Sequence, residues 1–314
     1  MRLFFSTDIH GSERCFMKFL NAAKAYRAEA IVMGGDITGK LLVPIVTEPD
    51  GTITASVFGQ PRVARDDDEL AALEKTIRQS GSYAIRVTRA EKDALDAAPG
   101  DVPAVFQRAI EETLVRWMAV ARERLEPLGI PIYVSAGNDD EAYVDEVLCG
   151  ADYVRFPEGE VVRLPDGREM VSCGWANQTP FDSPRELPED ELEARVSAMA
   201  DRLEQPDRAV FNLHCPPERT TLDSAPELDE DLRPVVRGGA MLMKPCGSAA
   251  TRRVIERYQP LIALHGHIHE SRGAQKIGRT LCVNPGSEYS EGVLRGVIAE
   301  LNKNKVKGWQ FTVG

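Results

Sequence analysis

Residues 261–270 read LIALHGHIHE, and the interpretation of the chain turns on them. Leu261, Ile262, Ala263 and Leu264 form an apolar run of buried-strand character. It leads directly into His265, His267 and His269, with Gly266 placed for a tight turn at the strand's end. Histidines two residues apart at the end of a strand can face one cleft, and neutral imidazole is the commonest metal-ligating side chain. The chain has five histidines in all, and the other two, His10 and His214, also follow apolar strand-like runs. The pattern predicts a metal centre assembled from loops at strand ends.

Working outward from that stretch, the N-terminal region repeats the arrangement. Residues 3–5 read as a short buried strand that ends in a polar loop carrying Asp8 and His10. Ser12 is placed as a helix N-cap, with Phe16, Phe19, Leu20 and Ala23 following at helical spacing. A second strand at 30–33 runs into Gly34, Gly35 and Asp36. Each of these β-α units sets a carboxylate at the C-terminal end of a strand, where open α/β sheets build their sites.

Residues 41 to about 126 interrupt this rhythm and read as an inserted cap or arm within a single domain spanning 1–314. Two strands, 41–46 and 52–58, flank a Pro49-Asp50-Gly51 turn. The acidic run 66–69 opens a helix to Gln79, where carboxylates suit the helix N-terminus better than a metal. An amphipathic helix over 105–125 carries Phe106, Ile110, Leu114, Trp117, Met118 and Ala121 on one broad face, which reads as core. The α/β rhythm resumes with a strand at 130–135 and the loop Gly137-Asn138-Asp139-Asp140. Two strands flank Pro165-Asp166-Gly167, a helix covers 189–204, and a strand at 209–213 delivers His214. An irregular stretch over 215–248 and a helix at 251–258 precede the histidine stretch. Asn284 and Ser287 either support the site or make a Pro-Gly turn, the turn being preferred, and strands at 293–301 and 305–313 close the sheet.

A net charge of −11 argues against a broad nucleic-acid surface, which needs clustered lysine and arginine. A small anionic substrate stays open, because a metal centre supplies local positive charge. The six cysteines include no CxxC pair, which points to reduced, packing cysteines in a cytoplasmic protein. The N-terminus MRLFFSTDIH turns polar too early for a signal peptide, and no run of 18 apolar residues exists to span a membrane.

Collected in order, Asp8, His10, Asp36, Asn138, His214, His267 and His269 offer nitrogen and oxygen donors from strand-end loops. Seven such donors are enough for two first-row ions, and a pair about 3.5–4 Å apart is the usual device for in-line attack on phosphorus. Mixed Asp, Asn and His ligation without thiolate fits Mn, Fe, Zn or Ni, with manganese preferred, over a structural zinc. The motifs DIH, GGD, GN, LH and GHIH, in that order over residues 8–269, resemble those of the calcineurin-like metallophosphoesterase superfamily. The resemblance implies an α/β fold, a four-layer α/β/β/α sandwich with an inserted cap. It also implies that Asp8, His10 and His269 hold one metal, that Asn138, His214 and His267 hold the other, and that Asp36 bridges them. GDITGK and NPGSEYSEGVLRG further resemble a branch of small stand-alone phosphoesterases.

Two positions depart from the family pattern. Gly39 stands where GDxxD has a carboxylate, and Asp139 stands where the common GNH has a histidine. That histidine helps protonate the leaving oxygen or stabilise the transferring phosphoryl, whereas an aspartate, with an ordinary pKa of about 3.9, is a poor acid near neutrality. His265 is the spare imidazole, so the expected catalytic set is Asp36, Asn138, Asp139 and His265, with Lys40 read as a surface lysine. The expected activity is hydrolysis of a small-molecule phosphodiester by attack of a metal-bridging hydroxide. The alternatives are a phosphomonoesterase or nucleotidase, and a catalytically degenerate metal-containing binding protein. The expected partners are a small phosphorylated substrate and no membrane, with the inserted segment serving as a lid or an oligomer interface.

Overall fold

The computed structural model describes residues 1–314. Two sheets stack face to face. In the first, strands run in the order Val306–Val313, Arg295–Leu301, Arg2–Ser6, Ala30–Met33 and Ile132–Val134. The last three are parallel, while Arg295–Leu301 is antiparallel to both of its neighbours. The second sheet runs Gly273–Ile277, Thr280–Asn284, Ile262–Leu264, Val210–Leu213, Glu169–Cys173 and Val161–Arg163. Its four central strands are parallel, and an antiparallel hairpin partner borders each edge.

Alternation along these strands sorts side chains into layers. Leu3, Phe5, Ala30 and Val32 point inward and meet Met170, Val210, Ile262, Leu264 and Val283 of the second sheet. The alternate residues Phe4, Ile31, Met33, Ile132 and Val134 point outward onto helices Glu13–Ala25, Val102–Leu125 and Tyr143–Cys149. On the far side, Val171, Phe211, Ala263 and Cys282 pack under helices Glu189–Ala200 and Ala249–Tyr258. The order is therefore helix, sheet, sheet, helix, the four-layer α/β/β/α sandwich.

The segment at 41–126 does not behave as one insert. Strands Leu41–Thr47, Ile53–Val57, Gln60–Ala64 and Ser82–Thr88 form a separate four-stranded sheet. Ile45, Val57, Leu70, Leu73 and Ile77 pack together there under helix Asp67–Gln79. Helix Val102–Leu125, expected to be part of the arm, instead lies on the outer face of the first sheet. Its Trp117 is 1% exposed and stacks on Phe16 with ring centroids 4.4 Å apart. The apolar stripe seen in the sequence thus covers the main sheet, and the insert ends before it. The stretch 215–248, expected to be irregular, contains a hairpin pairing Ser224–Pro226 with Met243–Pro245. No helix is long and apolar enough to cross a membrane.

Candidate metal centre

All seven expected ligands come from loops that follow parallel strands, so the two sheets deliver them to one edge. Asp8 and His10 follow Arg2–Ser6, Asp36 follows Ala30–Met33, and Asn138 follows Ile132–Val134. His214 follows Val210–Leu213, and His267 and His269 follow Ile262–Leu264. Four of these residues hold left-handed backbone: Asp8 at φ 53°, His10 at 38°, Asp36 at 48° and His267 at 65°. Such conformations disfavour side chains and collect at functional sites, where surrounding contacts hold them in place. The neighbouring glycines are required by contact. A Cβ on Gly137 would stand 2.2 Å from Asp36 Oδ1, and one on Gly266 would stand 2.3 Å from Asp8 Oδ2.

The donor atoms converge in two groups. His10 Nε2 faces His269 Nε2 at 3.0 Å, and Asp8 Oδ1 lies 3.5 Å from His269 Nε2. In the second group, Asn138 Oδ1 lies 2.7 Å from His267 Nδ1 and 3.1 Å from His214 Nε2. Between the groups stands one oxygen, Asp36 Oδ2, 3.7 Å from His10 Nε2 and 3.4 Å from His214 Nε2. Donors about 2.1 Å from a shared ion stand roughly 3.0–3.4 Å apart at octahedral or tetrahedral angles, so these spacings fit divalent transition ions. Asp8, His10, Asp36, Asn138 and His214 are buried, and His267 and His269 are partly exposed, His269 with 31% of its side chain. His214 is oriented from behind, its Nδ1–H donating to the Gly34 carbonyl at 3.1 Å, which leaves Nε2 turned to the site.

The electrostatics have the same sense. Burial opposes a charged His214, yet the Asp36 and Asp8 carboxylates outweigh it and push the imidazole up to about 10. Burial likewise opposes ionisation of Asp36, but His214, His10 and the Asp139 N–H hold its carboxyl well below the ordinary range. Burial, with the charge on His214 beside it, pushes His267 down to about 4. The Asp8 and Asp36 carboxylates thus favour a cation at His214, against the cost of burial.

No protein-family model matches the chain. Over 183 residues it is 29% identical to an uncharacterized protein, MJ1162, of Methanocaldococcus jannaschii, covering 57% of this chain and 72% of the relative. One solved crystal structure superimposes with a TM-score of 0.55 at 15% identity, covering 100% of this chain and 98% of the other. TT1561 of Thermus thermophilus gives 0.53 at 13% identity, over 100% and 97%. Both likenesses lie in the fold, the four-layer α/β/β/α sandwich.

Within this fold, the remaining expected residues fall differently. Asp139 sits at the rim of the centre: its N–H donates to Asp36 Oδ1 at 2.9 Å, and its Oδ2 lies 3.9 Å from His10 Nδ1. Its carboxylate also accepts from Ser183 Oγ at 3.0 Å and pairs with the Lys40 ammonium. His265 is fully buried, and its Nδ1–H donates to the Leu213 carbonyl at 2.8 Å, tying two strands of the second sheet. Burial pushes this imidazole down to about 4, and its Nε2 has no hydrogen-bond partner.

Several residues of the site carried no signal in the sequence. Asp140 is fully buried and clamps two ligand loops together. Its Oδ2 accepts from Ile37 N at 3.1 Å and Gly137 N at 2.8 Å, and its Oδ1 accepts from Thr38 N at 2.9 Å. Asn284 and Ser287, for which a turn is the preferred reading over support of the site, reach the site's loops. Asn284 Nδ2 donates to the carbonyls of Gly266 and Ile268 at 3.1 and 3.0 Å, and Ser287 Oγ donates to the Asp8 carbonyl at 2.6 Å. Tyr289 lays its ring against His10, with centroids 4.6 Å apart.

Proposed function

We propose that this chain is a metal-dependent phosphoesterase that uses two divalent ions, manganese first among them, to hydrolyse a phosphodiester of a small molecule. The observation that supports this most strongly is Asp36 Oδ2, a single carboxylate oxygen facing His10 Nε2 at 3.7 Å and His214 Nε2 at 3.4 Å. Asp8, His10 and His269 would hold one ion and Asn138, His214 and His267 the other, with Asp36 shared. Bound there, two such ions supply a water ionised near neutral pH and positive charge against the phosphoryl oxygens.

The chain's own residues fix the geometry. The His267 N–H donates to both Asp8 oxygens, at 3.0 and 3.2 Å, so the Asp8 carboxylate cannot swing out of the centre. The Asp139 N–H fixes Asp36 Oδ1 and leaves Oδ2 to face both donor groups. Pre-set donors of this kind need no reorganisation as charge develops, which is where electrostatic catalysis gains most. The net charge of −11 disfavours long nucleic acid as substrate, and the six unpaired cysteines support a reducing, cytoplasmic setting.

The test is hydrolysis of bis-p-nitrophenyl phosphate beside p-nitrophenyl phosphate with added Mn²⁺. Wild type is expected to turn over the diester, and Asp36→Asn to lose roughly 100-fold or more in rate, as disturbing a metal ligand set does. Turnover of neither ester by metal-loaded protein would sink the reading. A phosphomonoesterase is the second reading, and one observation favours it: the ammonium of Lys40 at the rim is an additional cation suited to a dianionic end group. Turnover of the monoester alone would select it.

A further inference from the structure

We propose that Lys40 binds the transferring phosphoryl group in place of the histidine that the family pattern carries at position 139, and that Asp139 positions its ammonium. The inference rests on the phosphoesterase reading and assigns the cationic partner of that same site.

Asp139 is fixed on three sides. Its N–H is on Asp36 Oδ1 at 2.9 Å, and its Oδ1 receives Ser183 Oγ at 3.0 Å and Asn138 Nδ2 at 3.2 Å. Its Oδ2 is left for the Lys40 ammonium and lies 3.9 Å from His10 Nδ1. The ammonium is therefore one side chain away from three residues of the centre.

The root of the Lys40 side chain is fixed as well. Gly39 N–H donates to the Tyr83 hydroxyl at 2.9 Å, and a Cβ on Gly39 would stand 2.0 Å from the Gly81 carbonyl oxygen. Asp140 holds Ile37 and Thr38 just before it. The backbone that presents Lys40 is thus wedged between the ligand loops and the inserted unit.

Exposure and charge then decide the role. The Lys40 side chain is 62% exposed and that of Asp139 is 15% exposed, so the pair is anchored on the carboxylate side and open on the ammonium side. An ammonium has three donors, and a single carboxylate oxygen does not use them all. Without Lys40, the Asp139 carboxylate would face an incoming phosphate as an uncompensated anion. With it, the pair is neutral and offers N–H donors to a phosphoryl oxygen, a charge-assisted contact of the stronger kind.

The experiment is calorimetric titration of Mn²⁺-loaded protein with inorganic phosphate, with metal content measured on the same samples. Lys40→Met is expected to keep the wild-type metal content and bind phosphate at least about 10-fold more weakly, the loss of one charge-assisted hydrogen bond. Lys40→Arg is expected to retain most of the affinity. The double variant Lys40→Met/Asp139→Asn is expected to bind phosphate better than Lys40→Met alone, because the bare carboxylate is gone. Wild-type phosphate affinity in Lys40→Met at unchanged metal content would overturn the assignment while leaving the metal-centre reading intact. Wild type that takes up no metal would bring down the reading on which the assignment rests, and the metal measurement tells the two failures apart.

Discussion

At the scale of single residues, the centre depends on groups that never face its interior. Asp140 joins the Asp36 and Asn138 loops through backbone N–H groups, and burial with the nearby Asp36 charge pushes its carboxyl up to about 6. Asp140→Ala removes that clamp and is expected to weaken metal affinity by roughly 10- to 100-fold, measured by competition with a chelator. Unchanged affinity would show that the loops hold themselves. Gly137→Ala should do comparable damage for a different reason, since its Cβ would stand 2.2 Å from Asp36 Oδ1. The expected readout is loss of metal with the fold retained by circular dichroism. The positions of the seven donors were legible because each follows an apolar strand run and has a side chain that binds metals. Asp140, Asn284 and Ser287 were not, because a side chain bonding to the backbone of a distant loop leaves no local pattern. Tyr289 was hidden for the same reason, its partner His10 lying 279 residues away in sequence but 4.6 Å away in space.

At the scale of elements, period and capping were readable but neighbours were not. Helix Asp67–Gln79 starts where the acidic run predicts, with Asp66 Oδ1 accepting from Glu69 N at 2.7 Å. Strands Leu41–Thr47 and Ile53–Val57 lie on either side of the expected turn. Helix Val102–Leu125 shows the difficulty: its apolar stripe is plain in the sequence, but a stripe does not say which surface it covers. The structure packs it on the first sheet, with Trp117 against Phe16. Trp117→Ala is therefore expected to destabilise the whole sandwich by about 3–5 kcal/mol in urea unfolding, the usual cost of emptying a large buried aromatic site. A cost below about 1 kcal/mol would mean that the helix belongs to a separately stable unit.

At the scale of the whole molecule, one buried carboxyl away from the centre ties stability to pH. The Glu158 side chain is 6% exposed, and its Oε1 has no hydrogen-bond partner. Burial pushes its pKa from 4.5 up to about 7, against the opposing Gly174 N–H and Arg195. A folded-state pKa above the unfolded value means that the folded chain holds the proton more tightly. Its stabilising share is present in full below about pH 4.5 and is lost as pH rises toward 7. At about 1.4 kcal/mol per pKa unit the loss is on the order of 3 kcal/mol. Glu158→Gln should remove this decline, so the stability gap between variant and wild type should widen from pH 5 to pH 8. Parallel stability curves for the two proteins would contradict it.

The sandwich brings the C-terminal ends of parallel strands from two sheets to one edge, where six expected donors surround Asp36. The measurement that tests this most directly is the number of Mn²⁺ ions bound per chain after equilibrium dialysis, for wild type and Asp36→Asn. Two ions in wild type and one or fewer in the variant is the expected result. A wild-type chain that binds no metal, or an Asp36→Asn chain that still binds two as tightly, would contradict a centre shared through Asp36.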